Sequence, residues 1–309
     1  MSKHKINFIG LLSNVDSSIT NMEFEHGFKA ESLSMNEFMD FFSTLRCSST
    51  SDIQRDLLTG SCISFSENRV CFITNSIEDE VETKTGNDFI SALPYIEFES
   101  KLVNQYLENT LLLMRLFKEG NIRLASYYYY YLIDSKPERV ASMHRSSSFS
   151  LKPYTINNNE IPEIKSFLEK TKIPFKNTLY QLALENYELS YRAGENHLAF
   201  LSLMISLETL FNPSETELTY RISRNIATLL GNKNKASSTI YEDVKKLYNK
   251  RSKLIHKGEN KITTDDLILL RAYVRDSIKA MNTKGLDRDK ILKILHAKGF
   301  YETLFLLIC

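Results

Sequence analysis

From Leu179 to Met281 the apolar residues recur at helical spacing, and this period constrains the chain more than any other feature. Leu179, Leu182, Ala183 and Tyr187 make one stripe, and Leu218, Ile222, Ile226 and Leu229 make another. Leu267, Leu270, Val274, Ile278 and Met281 make a third. Leu198 to Phe211 is apolar almost all round, which predicts a central, buried helix. Its exception is Glu208. A buried carboxylate needs a partner, and Arg221 or Arg224 on the next helix could supply one. Asn212-Pro213 and Gly231 read as helix stops. Thr263 and Asp266 read as a capping-box start. A last helix is expected from about Asp287 to Gly299. The apolar tail Phe300 to Cys309 is too short to span a bilayer and is expected to pack on the core or on another subunit.

The first 150 residues follow a mixed pattern. Lys5 to Leu12 reads as a strand and Met35 to Leu45 as a short helix. Cys62 to Phe65 and Val70 to Thr74 read as a hairpin around Ser66-Glu67-Asn68-Arg69. The acidic run Glu78 to Glu82 reads as a solvated loop. Phe98 to Lys118 reads as a long helix stopped by Gly120. The five tyrosines Tyr127 to Tyr131 favour a strand, buried or at an edge; a nucleobase-stacking surface is the alternative. Ser142 to Pro162, rich in Ser, Asn and Pro, reads as a linker. A length of 309 residues suits two domains. The fold class is therefore α+β, with a mixed α/β N-terminal domain over 1–150 and an all-α bundle over 160–309.

No run of eighteen apolar residues exists, so no membrane span is expected. The start lacks a signal-peptide core, and the four cysteines form no C-x-x-C pair. Free thiols in the cytoplasm follow as the expectation. Net charge is +1 but uneven. Residues 1–150 hold 14 Lys/Arg against 20 Asp/Glu, a net of −6, and residues 151–309 hold 25 against 18, a net of +7. Within 233–261, nine basic residues stand against three acidic ones. Such a segment attracts a polyanion or simply forms a solvated lysine face.

That segment contains Arg251-Ser252-Lys253-Leu254-Ile255-His256, followed by Lys257 and Gly258. An always-charged arginine with a titratable histidine could hold a phosphate and move a proton. The spacing alone is weak, because Arg139/His144 and Arg192/His197 share it. Fourteen Arg and six His would give roughly 0.3 such pairs by chance. Context separates them. Arg139/His144 leads into the Ser-rich stretch, and Arg192/His197 spans Gly194 as a loop arginine and a helix-start histidine. Arg251 instead falls at the centre of a helical stripe of Ile240, Val244, Leu247, Tyr248 and Ile255. A charge there should meet a carboxylate, a phosphate or a second subunit. Residues five apart on an unbroken helix diverge by about 140°, so Lys257-Gly258 is expected to end the helix and free His256 to turn. The structural alternative is an Arg251–Glu208 pair in the core and a helix-end histidine.

The segment Tyr248 to Gly258 resembles the R-x4-H motif of HEPN domains. With Leu207-Glu208-Thr209-Leu210-Phe211, Arg221 to Leu230 and Leu116-Phe117-Lys118-Glu119-Gly120, the chain is similar to the Apea-like HEPN branch. Ser252 departs from the Asn, His or Asp that many HEPN ribonucleases carry after the arginine. The resemblance implies a helical bundle that forms a homodimer and cleaves RNA, tRNA included, without a metal or cofactor. The ribose 2′-OH would attack the adjacent phosphorus to leave a 2′,3′-cyclic phosphate, in an antiviral-defence or toxin-like setting. It further implies that Arg251 would hold the phosphate and His256 would move the proton. Ser252, Lys253, Lys257, Lys250, Glu208 and Arg221 would support RNA or the arginine. The acidic N-terminal part would regulate the bundle. A HEPN module that binds RNA or a partner protein without cutting is the second expectation. No Walker loop, nucleophile elbow or H-E-x-x-H is present, and the histidines lack metal-site spacing.

Overall fold

A computed structural model describes residues 2–44, 57, 62–64, 67–81, 98–133, 136–144, 153–212, 217–285 and 287–298. Two compact units divide the chain, Met1–Thr171 and Lys172–Cys309.

The first unit is built on an antiparallel sheet. Its strands are β1 (Ser2–Ser13), β2 (Lys29–Ser34), β3 (Ile63–Ser64), β4 (Arg69–Val81), β5 (Arg123–Ile133) and β6 (Lys136–His144). The order is β2-β4-β1-β5-β6, with β3 paired to β4. Alternation along the strands buries both faces. Ile6, Phe8, Ile73, Tyr127 and Tyr129 join one apolar cluster with Val103, Leu107, Leu111 and Met114. Ile9, Leu11, Phe72 and Tyr128 join the other with Phe38 and Phe42 of α1 (Met35–Thr44).

The tyrosine run forms the buried strand expected of it, and Tyr127, Tyr128 and Tyr129, about 1% exposed on an interior strand, offer no stacking surface, so that alternative falls. Two expectations change here. The acidic run does not loop out, because Glu78, Asp79 and Glu80 extend β4 beside β1. The expected long helix is π-helical over Glu99–Leu107 before it becomes α2 (Glu108–Phe117).

Residues 145–152 of the expected linker lie outside the described residues, and its described part from 153 onward is structured. Tyr154 is fully buried, and its hydroxyl donates to the Met114 carbonyl at 2.9 Å. Asn157 and Glu160 form a capping box, and helix α3 (Ile161–Lys170) follows with Ile164 in the first unit's core. Lys118 pairs with Glu160 at 2.6 Å. These ties put the boundary at Thr171/Lys172 rather than between 150 and 160.

The second unit is a bundle of α4 (Thr178–Arg192), α5 (Asn196–Phe211), α6 (Leu218–Leu230), α7 (Ser237–Lys257), α8 (Thr264–Thr283) and α9 (Arg288–Ala297). Helix α5 packs against α4, α6, α7 and α8, which explains its apolar surface. One edge of α5 nevertheless stays open, with Leu198 and Ile205 each nearly half exposed. Arginines satisfy carbonyls left over at helix ends. Arg224 donates to the carbonyls of Leu295, His296 and Lys298 at the end of α9. Arg271 reaches the Ser190 carbonyl near the end of α4, and Arg288 reaches that of Thr209 near the end of α5. The apolar tail lies outside the described residues. Among the described residues no helix is long and apolar enough to cross a membrane.

Candidate functional site around Arg251

Helix α7 has no glycine or proline over its 21 residues. Ile240, Val244, Leu247 and Tyr248 are buried along one face. The stripe then rises out of the core, with Arg251 partly buried and Ile255 47% exposed. Arg251 therefore sits where an apolar face meets solvent.

Its partner is Glu208, near the end of α5. The Arg251 Nη2 lies 3.2 Å from the Glu208 Oε1, and each side chain retains about a quarter of its exposure. The same Oε1 accepts from the Tyr248 hydroxyl at 2.5 Å. The Arg251 guanidinium also lies 5.8 Å from the centre of the Tyr248 ring. Burial first, and then the hydrogen bond and charge of Glu208, push the Tyr248 hydroxyl well above the usual phenol range, against the opposing effect of Arg251. That hydroxyl remains a donor at neutral pH and cannot serve as a base. The arrangement fixes a guanidinium, with one carboxylate below it and one side open. Such a group can hold a phosphate by charge-assisted hydrogen bonds.

Of the partners weighed for Glu208, Arg221 and Arg224 do not reach it, and the structural alternative, the Arg251–Glu208 pair, is the one that forms. Arg224 caps α9, and Arg221 pairs at 3.7 Å with Glu217, the residue just before its own helix. Arg251 and Tyr248 fill the place instead, because α7 and not only α6 packs beside α5. Tyr248 is the residue that periodicity missed, since its ring fits the apolar stripe and only its hydroxyl carries the polar role.

His256 does not turn away from the helix. Helix α7 stays regular through Lys257, and the left-handed conformation falls on Gly258, at φ 67°. Gly258 N–H then donates to the Leu254 carbonyl at 3.1 Å, closing the helix. Arg251 and His256 consequently stand about 140° apart and about 7.5 Å along the axis. Ser252, Lys253, His256 and Lys257 are all exposed. Lys250 is not available to RNA in the way expected, because its Nζ lies 2.8 and 2.6 Å from the two Asp266 carboxylate oxygens. Asp266 also closes the capping box of α8 with Thr263.

Of the two other pairs, His197 is the expected helix-start histidine, but both arginines lie on regular elements. Arg139 and His144 lie on β6, in register with Tyr130 and Ser126. Arg192 closes α4 and pairs with Glu188 at 3.2 Å, while His197 is the second residue of α5. Among the described residues no group of three or more His, Cys, Asp or Glu stands together as metal ligands. No protein-family model, curated protein or solved structure matches this chain.

Proposed function

We propose that two copies of the helical unit, of the HEPN kind its R-x4-H segment resembles, build a site that cleaves RNA. The observation that supports this is the placement of Arg251. It is oriented by Glu208 at the point where an apolar stripe emerges, with Ile205 and Ile255 each 47% exposed one helical turn from the pair. Exposed apolar side chains around an anchored charge fit an interface better than an isolated surface.

In the reaction, the ribose 2′ oxygen bonds to phosphorus while the bond to the 5′ oxygen breaks. His256 accepts the 2′ proton or returns a proton to the leaving oxygen. Arg251 holds the phosphate and stabilises its growing charge. Lys253 and Lys257 add attraction for the backbone. DNA lacks the attacking hydroxyl and is left intact.

The test is incubation of the purified protein with total RNA and with tRNA, with and without EDTA. New 2′,3′-cyclic phosphate ends are expected in both conditions, and none with His256→Ala. Equal cutting by His256→Ala would sink the site, and loss of cutting in EDTA would sink the metal-free step. In cells, expression of the parent chain is expected to arrest growth, and His256→Ala is expected to relieve it.

One observation favours a second reading. Glu208 already neutralises much of the Arg251 charge, and His256 forms no hydrogen bond with a described residue. A binding module would retain RNA, or a partner protein, in a salt-dependent way and produce no new ends.

A further inference from the structure

Helices α6 to α9 line a half-open cleft of about 900 Å³ that includes none of the residues around Arg251. Its wall is mostly apolar, with the half-buried Leu230 and Ile294 exposed to it over the buried Leu229, Ile240, Ile291 and Leu295. Its charges are mostly of one sign. Lys235, Lys279, Lys284 and Lys298 line it against a single acidic residue, Asp276. Two of these lysines are already engaged. Lys235 lies 4.4 Å from the centre of the Tyr273 ring and 3.7 Å from Asp243, and Lys279 lies 3.1 Å from Asp276. Lys284 and Lys298 form no ion pair with a described residue, and both are half-buried.

The volume falls within the range of small-molecule sites, where an apolar wall carries a few convergent polar groups. Apolar wall and cationic rim together select a ligand that is itself divided. A cation would be repelled by the lysine excess, and a polyanion would leave the wall empty. We propose that this cavity binds an acidic amphiphile, its apolar body against the leucines and isoleucines and its anionic head on Lys284 and Lys298. The proposal does not depend on RNA cleavage.

The test is calorimetric titration of the full chain, below micellar concentrations, with four ten-carbon probes. Decanoate and decyl phosphate carry the anionic head, decanol is neutral, and decyltrimethylammonium is cationic. At least one of the two anions is expected to bind one to one, and the comparison between them identifies the preferred head. Decanol should bind more weakly and the cation not at all. Lys284→Gln with Lys298→Gln should weaken the anion by about tenfold. Ala280→Trp, which fills the cavity, should abolish binding while the melting curve stays cooperative; should that variant fail to fold, Ala280→Leu makes the same test. The proposal is overturned if no anion binds, if cation and anion bind alike, or if the lysine or cavity variants bind as the parent does.

Discussion

One carboxylate oxygen of Glu208 accepts from two donors, the Tyr248 hydroxyl and the Arg251 guanidinium. Removing one donor differs from removing the acceptor. Tyr248→Phe deletes a hydrogen bond to a charged group and is expected to cost about 1–2 kcal/mol. Glu208→Ala leaves a phenol and a guanidinium without their acceptor, and a loss of about 2–3 kcal/mol is expected, the partial exposure of the pair holding it there. The double variant should lose less than the sum, since the shared bond is counted in both single changes. Urea denaturation of the four proteins checks this, and strict additivity would show that the Tyr248–Glu208 bond contributes nothing. At this scale the sequence carried part of the answer. Arg251 on an apolar face demanded a carboxylate or phosphate, and Glu208 was the one charge on an apolar helix. Arg221 and Arg224 were paired with it first because neighbours in the chain were taken as neighbours in space, whereas the Arg251–Glu208 pair, given as the structural alternative, is the one that forms. The role of Tyr248 was hidden because periodicity registers its ring and not its hydroxyl.

Elements were legible where one face is buried. The stripe of α8 is buried as read, that of α7 is buried as far as Tyr248 while Ile255 is exposed, and the Thr263–Asp266 box opens α8. The extension of β4 was not legible, because an acidic run looks solvated until its partner is known. The register sets Lys3 opposite Glu80 and Lys5 opposite Glu78, so residues of opposite charge are ladder partners. Helix α3 had a signal that went unused, Asn157 followed three residues later by Glu160 and then Pro162. The start of α8 has a pH dependence of defined sign. Burial of Asp266 disfavours its ionised form, but the hydrogen bond from Lys250, and then those from Thr263, outweigh this and hold the carboxyl below its ordinary 3.8. A carboxylate depressed in the folded state stabilises above its unfolded pKa, and that stability is lost as pH falls through the folded value. The parent is therefore expected to lose stability below about pH 4 more steeply than Asp266→Asn, in melting curves taken from pH 6 to pH 3. At the end of α7, Gly258 occupies φ 67°. Gly258→Ala should cost about 1 kcal/mol and loosen the last turn. Faster amide exchange at His256 and Lys257 would report it, and unchanged exchange there would show that the cap does not hold this turn.

For the whole molecule, the regular course of α7 to Lys257 sets the decisive constraint. A single chain presents Arg251 and His256 about 140° apart, which suits two different sides of the helix better than one reacting phosphate. A two-fold interface removes the conflict, since the same patch on each copy can bring Arg251 of one against His256 of the other. This makes the proposed site a property of the pair of chains, and it can be tested without knowing the RNA target. Arg251→Ala alone and His256→Ala alone should each be inactive. Coexpressed, half of the dimers would be mixed, and each mixed dimer would keep one intact Arg251–His256 pair out of two. Recovery of about a quarter of the parent's cleavage is expected. Ile255→Glu, at an exposed position where the fold should tolerate it, ought to block association and remove that recovery. Sedimentation would follow the dimer, and cyclic-phosphate ends would follow the chemistry. Dimers that form in the mixture but cut no RNA would exclude a site shared between chains, since the only remaining pairing is the one the helix itself holds apart.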